Sequence, residues 1–134
     1  MTIEELLEKP YWIIDILPKQ VPKDCPGQYF AVEDFYLKEQ LSEIKKKHIN
    51  VILKLNCYMD ITIDDEMNPA PEQIRDTMLG RDVYIMTGDS MILSETDDTH
   101  LTLFNPGDEL LELIREISSS EGLFVWKGNE PNTF

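Results

Sequence analysis

Between residues 83 and 104 the chain carries three short apolar runs, 83–86, 91–93 and 100–104, divided by turn residues at 87–90 and 95–99. Runs this short, joined by connections this short, predict an antiparallel β-meander. A meander leaves an apolar face that another layer must cover, so the rest of the chain has to supply helices. It does so four times. Ile3, Leu6 and Leu7 form a short stripe capped by Thr2, with Glu5 at the capping-box spacing and Pro10 as the stop. Leu37, Leu41, Ile44 and His48 follow a helical stripe, with Lys45, Lys46 and Lys47 read as its last turn and Asn50 as its end. A third helix is predicted over residues 71–80, with Pro71 at its first position and Ile74, Met78 and Leu79 facing in. The last begins with Asn105 as cap and Pro106 at the first position, and buries Leu110, Leu111, Ile114 and Ile117.

Further strands are predicted over residues 11–17, 51–55, 58–63 and 123–126. The first is apolar on both faces and therefore central. Residues 29–33 fit either a short strand or a helix start. Residues 101–126 fit a right-handed crossover onto a parallel strand. The expected fold is α+β: a single-domain sandwich, residues 1–127, of about four helices on a mixed, mainly antiparallel sheet. Residues 128–134 are expected to be a polar, frayed tail.

Charge narrows the partners. The chain of 134 residues has a net charge of −14. Residues 1–59 hold nine acids and eight lysines, whereas residues 60–121 hold sixteen acids and only Arg75, Arg81 and Arg115. Nucleic acid and anionic membranes are poor partners for such a surface, since both need clustered cations. The N-terminus carries acids where a signal peptide carries bases, and no apolar stretch is long enough to cross a bilayer. A cytoplasmic protein with reduced Cys25 and Cys57 is expected.

Several residues invite a chemical reading. Gly88-Asp89-Ser90 followed by Asp97-x-x-His100 resembles the nucleophile and triad blocks of the GDSL-type hydrolases. The likeness implies Ser90, Asp97 and His100 as a catalytic set. It covers these few residues alone, and that family's Gly and Asn oxyanion donors have no counterpart here. The same Gly-Asp pair also suits a tight turn. No metal or cofactor is expected. The acid runs lack the EF-hand pattern, the two histidines form no HExxH pair, and phosphate-binding glycine motifs are missing. His48, read as a helix-end residue, is expected to be favoured in its charged form by the helix dipole. Asp15 interrupts an apolar strand and is either on an exposed edge or paired in a buried site.

Two functional expectations follow. The first is a non-catalytic interaction module, such as an adaptor, an inhibitor or an immunity-like protein. It would offer Asp64, Asp65, Glu66, Glu95, Asp97 and Asp98 to a basic protein partner. The alternative is a small enzyme or ligand-binding domain. Its aromatic pocket would draw on Tyr11, Trp12, Tyr29, Phe30, Tyr36 and Tyr58, with Asp15 or Asp60 as the polar group. Self-association through the 123–126 edge, giving a homodimer, is a third possibility.

Overall fold

The computed structural model describes residues 1–128. The meander forms as expected: β4 (Val83–Thr87), β5 (Ser90–Ser94) and β6 (Leu101–Phe104). Among the described residues it is the centre of a seven-stranded sheet of order β3-β2-β4-β5-β6-β1-β7, completed by β1 (Tyr11–Asp15), β2 (Thr62–Ile63), β3 (Glu66–Met67) and β7 (Phe124–Lys127). All neighbouring strands run antiparallel, so the expected mixed pairing is corrected. β6 and β7 are parallel to each other, but β1 lies between them, and the connecting helix passes over it. β1 is an interior strand, which accounts for its two apolar faces.

Among the described residues five helices are present rather than about four: α1 (Ile3–Leu7), α2 (Tyr29–Glu39), α3 (Leu41–Tyr58), α4 (Pro71–Gly80) and α5 (Asp108–Ser120). The expected second helix divides at Gln40, whose φ of −124° leaves the helical range, and residues 29–33 open α2. The strand expected at 51–55 is wrong. Val51, Ile52 and Leu55 continue the stripe of Ile44 and His48, and their burial inside α3 outweighs the local β preference of the run. Lys45 and His48 therefore sit inside a long helix, not at its end. The 58–63 strand shrinks to Thr62–Ile63 because α3 runs on through Tyr58 with Met59 as its C-cap; beyond it Asp64 and Asp65 both adopt positive φ and close a two-residue hairpin turn onto β3. Asn105 does not cap α5, for which Gly107 is the N-cap. Asn105 has φ of 58° and its amide donates to the Asp89 carbonyl.

The main core lies between one sheet face and the helices. Ile14, Ile85, Ile92, Leu101 and Leu103 meet Ile52 and Leu55 of α3, Ile74 and Met78 of α4, and Ile114 and Ile117 of α5. On the reverse face Leu6 of α1 packs against Met91 and Phe104, with Tyr11, Met86 and Leu93 alongside. Part of the expected tail belongs to this fold. The Gly128 amide donates to the Tyr11 carbonyl at 2.9 Å, and a Cβ at Gly128 would run into the Tyr11 ring, so a larger residue would have to displace that ring. Residues 129–134 lie outside the described range. Among the described residues no helix is long and apolar enough to cross a membrane.

Candidate functional site

The strand register brings most of the singled-out acids to one rim of the sheet. Val83 pairs with Ser94, Ser94 with Leu101, and Leu101 with Ile14. The segments just beyond these rungs therefore lie side by side: Asp82 before β4, the β5–β6 turn with Glu95, Asp97 and Asp98, and Asp15 at the end of β1. The β2–β3 turn joins them, because Asp64 forms an ion pair with Arg81 next to Asp82. Asp64, Asp65, Glu66, Asp82 and Asp97 are all exposed. Asp60 is not part of this rim. Its backbone carbonyl accepts from Thr87 at the other end of β4, and its carboxylate accepts from Asn68.

The cations that could neutralise the rim are few. Lys45 is 3% exposed, and its Nζ donates to the Glu95 carbonyl at 2.8 Å and the Ser94 hydroxyl at 3.3 Å, with His48 Nδ1 at 3.2 Å. Burial pushes its pKa down, against the pull of Asp98, Asp82, Glu95 and Asp97. The lysine thus anchors the β5–β6 turn to α3 from below. Burial also pushes the His48 pKa down, to about 3, and the Lys45 ammonium adds to it. The expectation of a charged helix-end histidine is corrected: His48 is a fully buried neutral ring whose Nε2 completes no hydrogen bond of ordinary geometry. Glu95's carboxyl is raised by its partial burial and then by Asp98, Asp82 and Asp97. These acids stand within one another's fields.

At the end of this rim nearest α2 lies a small cavity of about 30 Å³, lined by Asp15, Ile16, Leu17, Tyr29, Val32, Glu33, Tyr36, Thr99 and His100. Asp15 is 8% exposed, so it is buried rather than on an exposed edge, but among the described residues it makes no ion pair. Its Oδ1 accepts from the Ile16 amide at 2.7 Å. Burial raises its pKa, against the Ile16 amide and the His100 charge, which lower it. His100 stands one step beyond the Ile14–Leu101 pair, across from Asp15. Its Nδ1 pairs with Asp98 Oδ1 at 2.9 Å. Burial opposes the charge on this histidine, but Asp98, Asp15 and Glu95 outweigh it, and the pKa is raised. Asp98 is lowered in return: burial works the other way, but the His100 contact prevails. The Tyr29 hydroxyl donates to Glu33 Oε2 at 2.8 Å, and burial together with that carboxylate pushes its pKa up to about 12.

Of the expected aromatic pocket, only Asp15, Tyr29 and Tyr36 come together. Trp12 projects from the opposite face of β1 into the main core and lies 5.6 Å from Lys127 Nζ. Tyr11 stacks against Phe104 on the α1 side. Tyr58 is 71% exposed at the far end of α3. Phe30 lies on the outside of α2 at 81% exposure. Glu33 and Thr99 were not singled out from the sequence. Glu33 carried a signal, being four residues after Tyr29 on one helix face, but that signal needs α2 to be known first.

The hydrolase set is not assembled. Ser90 opens β5, and its hydroxyl donates to the Asn105 carbonyl at 2.8 Å. His100 lies beyond the opposite end of the β5–β6 ladder, five residues or about 17 Å away along the strands. Its carboxylate partner is Asp98, while Asp97 points to solvent. Among the described residues no three His, Cys, Asp or Glu side chains are grouped to hold a metal ion. The chain matches no protein-family model, no curated protein and no solved structure.

Asp15→Asn is expected to raise the melting temperature at pH 7 by about 3 °C, equivalent to about 1 kcal/mol. A raised folded-state carboxyl pKa means that the ionised form is penalised in the native protein. The penalty is present at neutral pH and disappears as pH falls through the folded pKa, so the gain should shrink on acidification. Calorimetry of both proteins at pH 7 and pH 4 measures it, and equal melting temperatures at pH 7 would contradict an ionised, buried Asp15.

Proposed function

We propose that this protein is a non-catalytic interaction module whose docking face is the acidic rim running from the β2–β3 turn to α2, and that its partner is a basic protein. The observation that carries the reading is the convergence of Asp64, Asp65, Glu66, Asp82, Glu95, Asp97 and Asp98 on one rim. Its local cations are either paired with a rim acid, as Arg81 and His100 are, or buried below it, as Lys45 is. Potentials of one sign steer an oppositely charged partner and make association salt-sensitive. The outside of α2 supports the same reading. Phe30 and Phe35, 81% and 54% exposed, offer apolar area beside a charged border, the usual composition of a protein interface.

Glu66 and Asp97 are exposed, and neither carboxylate makes a bond within the described structure, so the double variant Glu66→Lys/Asp97→Lys reverses charge without disturbing the turns. A partner captured by the full chain from its own cell extract at 50 mM NaCl should be released at 500 mM. Its affinity for the double variant, measured by calorimetry, should be at least about tenfold weaker. An unchanged affinity would remove the rim as the docking face.

A further inference from the structure

We infer that the cavity between β1, α2 and the β5–β6 turn receives the primary ammonium group of a lysine side chain presented by the partner. The inference rests on the acidic rim being a docking face, and it names the side chain that anchors there.

Size selects the group. A cavity of about 30 Å³ holds one water-sized group. An –NH₃⁺ head is that size, whereas a planar guanidinium, with three nitrogens around a carbon, is larger. Charge selects the sign. Asp15 is nine-tenths buried, has no cation within ion-pairing distance among the described residues, and spends one carboxylate oxygen on the Ile16 amide. Glu33 stands on the facing wall, holding the Tyr29 hydroxyl. The one cationic group in the lining, His100, is already matched by Asp98, so two carboxylates remain uncompensated. An ammonium has three N–H donors to divide between such acceptors. The rest of the lining suits the stem: Ile16, Leu17 and Val32 can cover methylenes, and the rings of Tyr29 and Tyr36 can face the charge.

The test uses the full ¹⁵N-labelled chain titrated with the blocked peptide acetyl-Gly-Lys-Gly-amide, its Arg and Nε-acetyl-lysine counterparts, and n-butylammonium. Saturable shifts are expected at the amides of Asp15, Ile16, Leu17, Thr99 and His100 with the lysine peptide. Binding should be at least fivefold weaker for the arginine peptide and absent for the acetylated one. Asp15→Asn should weaken the lysine peptide at least tenfold, and Glu33→Gln, which leaves the strand untouched, should weaken it at least threefold. Equal binding by the acetylated peptide, or full affinity in both variants, would overturn the inference. Butylammonium binding more than tenfold tighter than the peptide would overturn the partner's lysine as the source and mark a free-amine site. Glu66→Lys/Asp97→Lys changes no cavity residue, so it should bind the peptide within threefold of wild type even where it loses the partner. If Asp15→Asn and Glu33→Gln leave partner affinity intact while the rim variant loses it, the cavity assignment falls and the rim reading stands.

Discussion

Lys45→Ala is expected to cost about 3 kcal/mol of folding stability, a fall of roughly 10 °C in melting temperature. Two losses combine. The buried methylene stem leaves a void, and the Ser94 hydroxyl, the Glu95 carbonyl and His48 Nδ1 lose their common donor in a place water does not easily reach. Lys45→Met separates the two, because it restores the stem without the donor, and should cost about 1 to 2 kcal/mol. Urea titration of the three proteins decides it. An alanine variant within 1 kcal/mol of wild type would mean that the ammonium is not holding the turn. The consequence reaches the docking face, since Glu95, Asp97 and Asp98 are carried by the turn that Lys45 fastens to α3. Partner affinity should fall in Lys45→Ala even though that side chain is inaccessible to a partner.

The meander was legible because its signals are local: short apolar runs broken by Gly88, Asp89 and the acids at 95–98 need no other part of the chain to be read. Helix α4 was legible for the same reason, with Pro71 at one end and Gly80 at the other, although Leu79, expected to face in, is exposed while Ile74 and Met78 are buried. What failed was decided at long range. Val51 and Ile52 are β-branched and favour strand, and their packing against the sheet and α5 makes helix the better state. Asn105 has the chemistry of a cap, but its side chain is drawn to the Asp89 carbonyl of the neighbouring hairpin, and the cap passes to Gly107.

The candidate site divides along the same line. That the acids lie in the second half of the chain is plain from composition. That Asp64, Asp82, Asp97 and Asp15 share a rim depends on the register of five strands, and a slip of the pairing would scatter them. The alternation of β1 could have shown that Trp12 and Asp15, three residues apart, face opposite sides and cannot line one pocket. Tyr29, Tyr36 and Glu33 meet Asp15 only because the chain after β1 returns as α2 across the strand end. The hydrolase resemblance fails on geometry that its short motifs do not encode: Ser90 and His100 belong to opposite ends of one ladder.

Acidification should expose the cost of burying His48. Its folded pKa of about 3 lies far below the 6.5 of the unfolded chain, so between those values the unfolded state takes up a proton that the native state refuses. The contribution of the neutral His48 is therefore complete above pH 6.5 and is lost as pH falls, by about 2 kcal/mol between pH 6.5 and 4.5. Asp15 and Glu95, whose folded carboxyls are raised, gain stability as pH falls and offset part of this loss, but their share is common to wild type and His48→Asn and drops out of the comparison. His100, whose folded pKa is raised, contributes stability that is lost only as pH rises through that value, above the window. Asp98 is lowered from 3.8, so its contribution fades below the window. Lys45 adds to the depression of the His48 pKa, because a protonated ring would stand 3.2 Å from its Nζ. His48→Asn keeps an acceptor near the position of Nδ1 and cannot ionise, so its stability should lack this loss over the same range, whatever its absolute value. Urea unfolding at half-unit steps from pH 7 to 4.5 measures both slopes. Parallel curves would show that the acid sensitivity lies elsewhere and that His48 is protonated in the folded protein. A converging pair would place the proton-sensitive joint of this molecule directly beneath the turn that carries its acidic face.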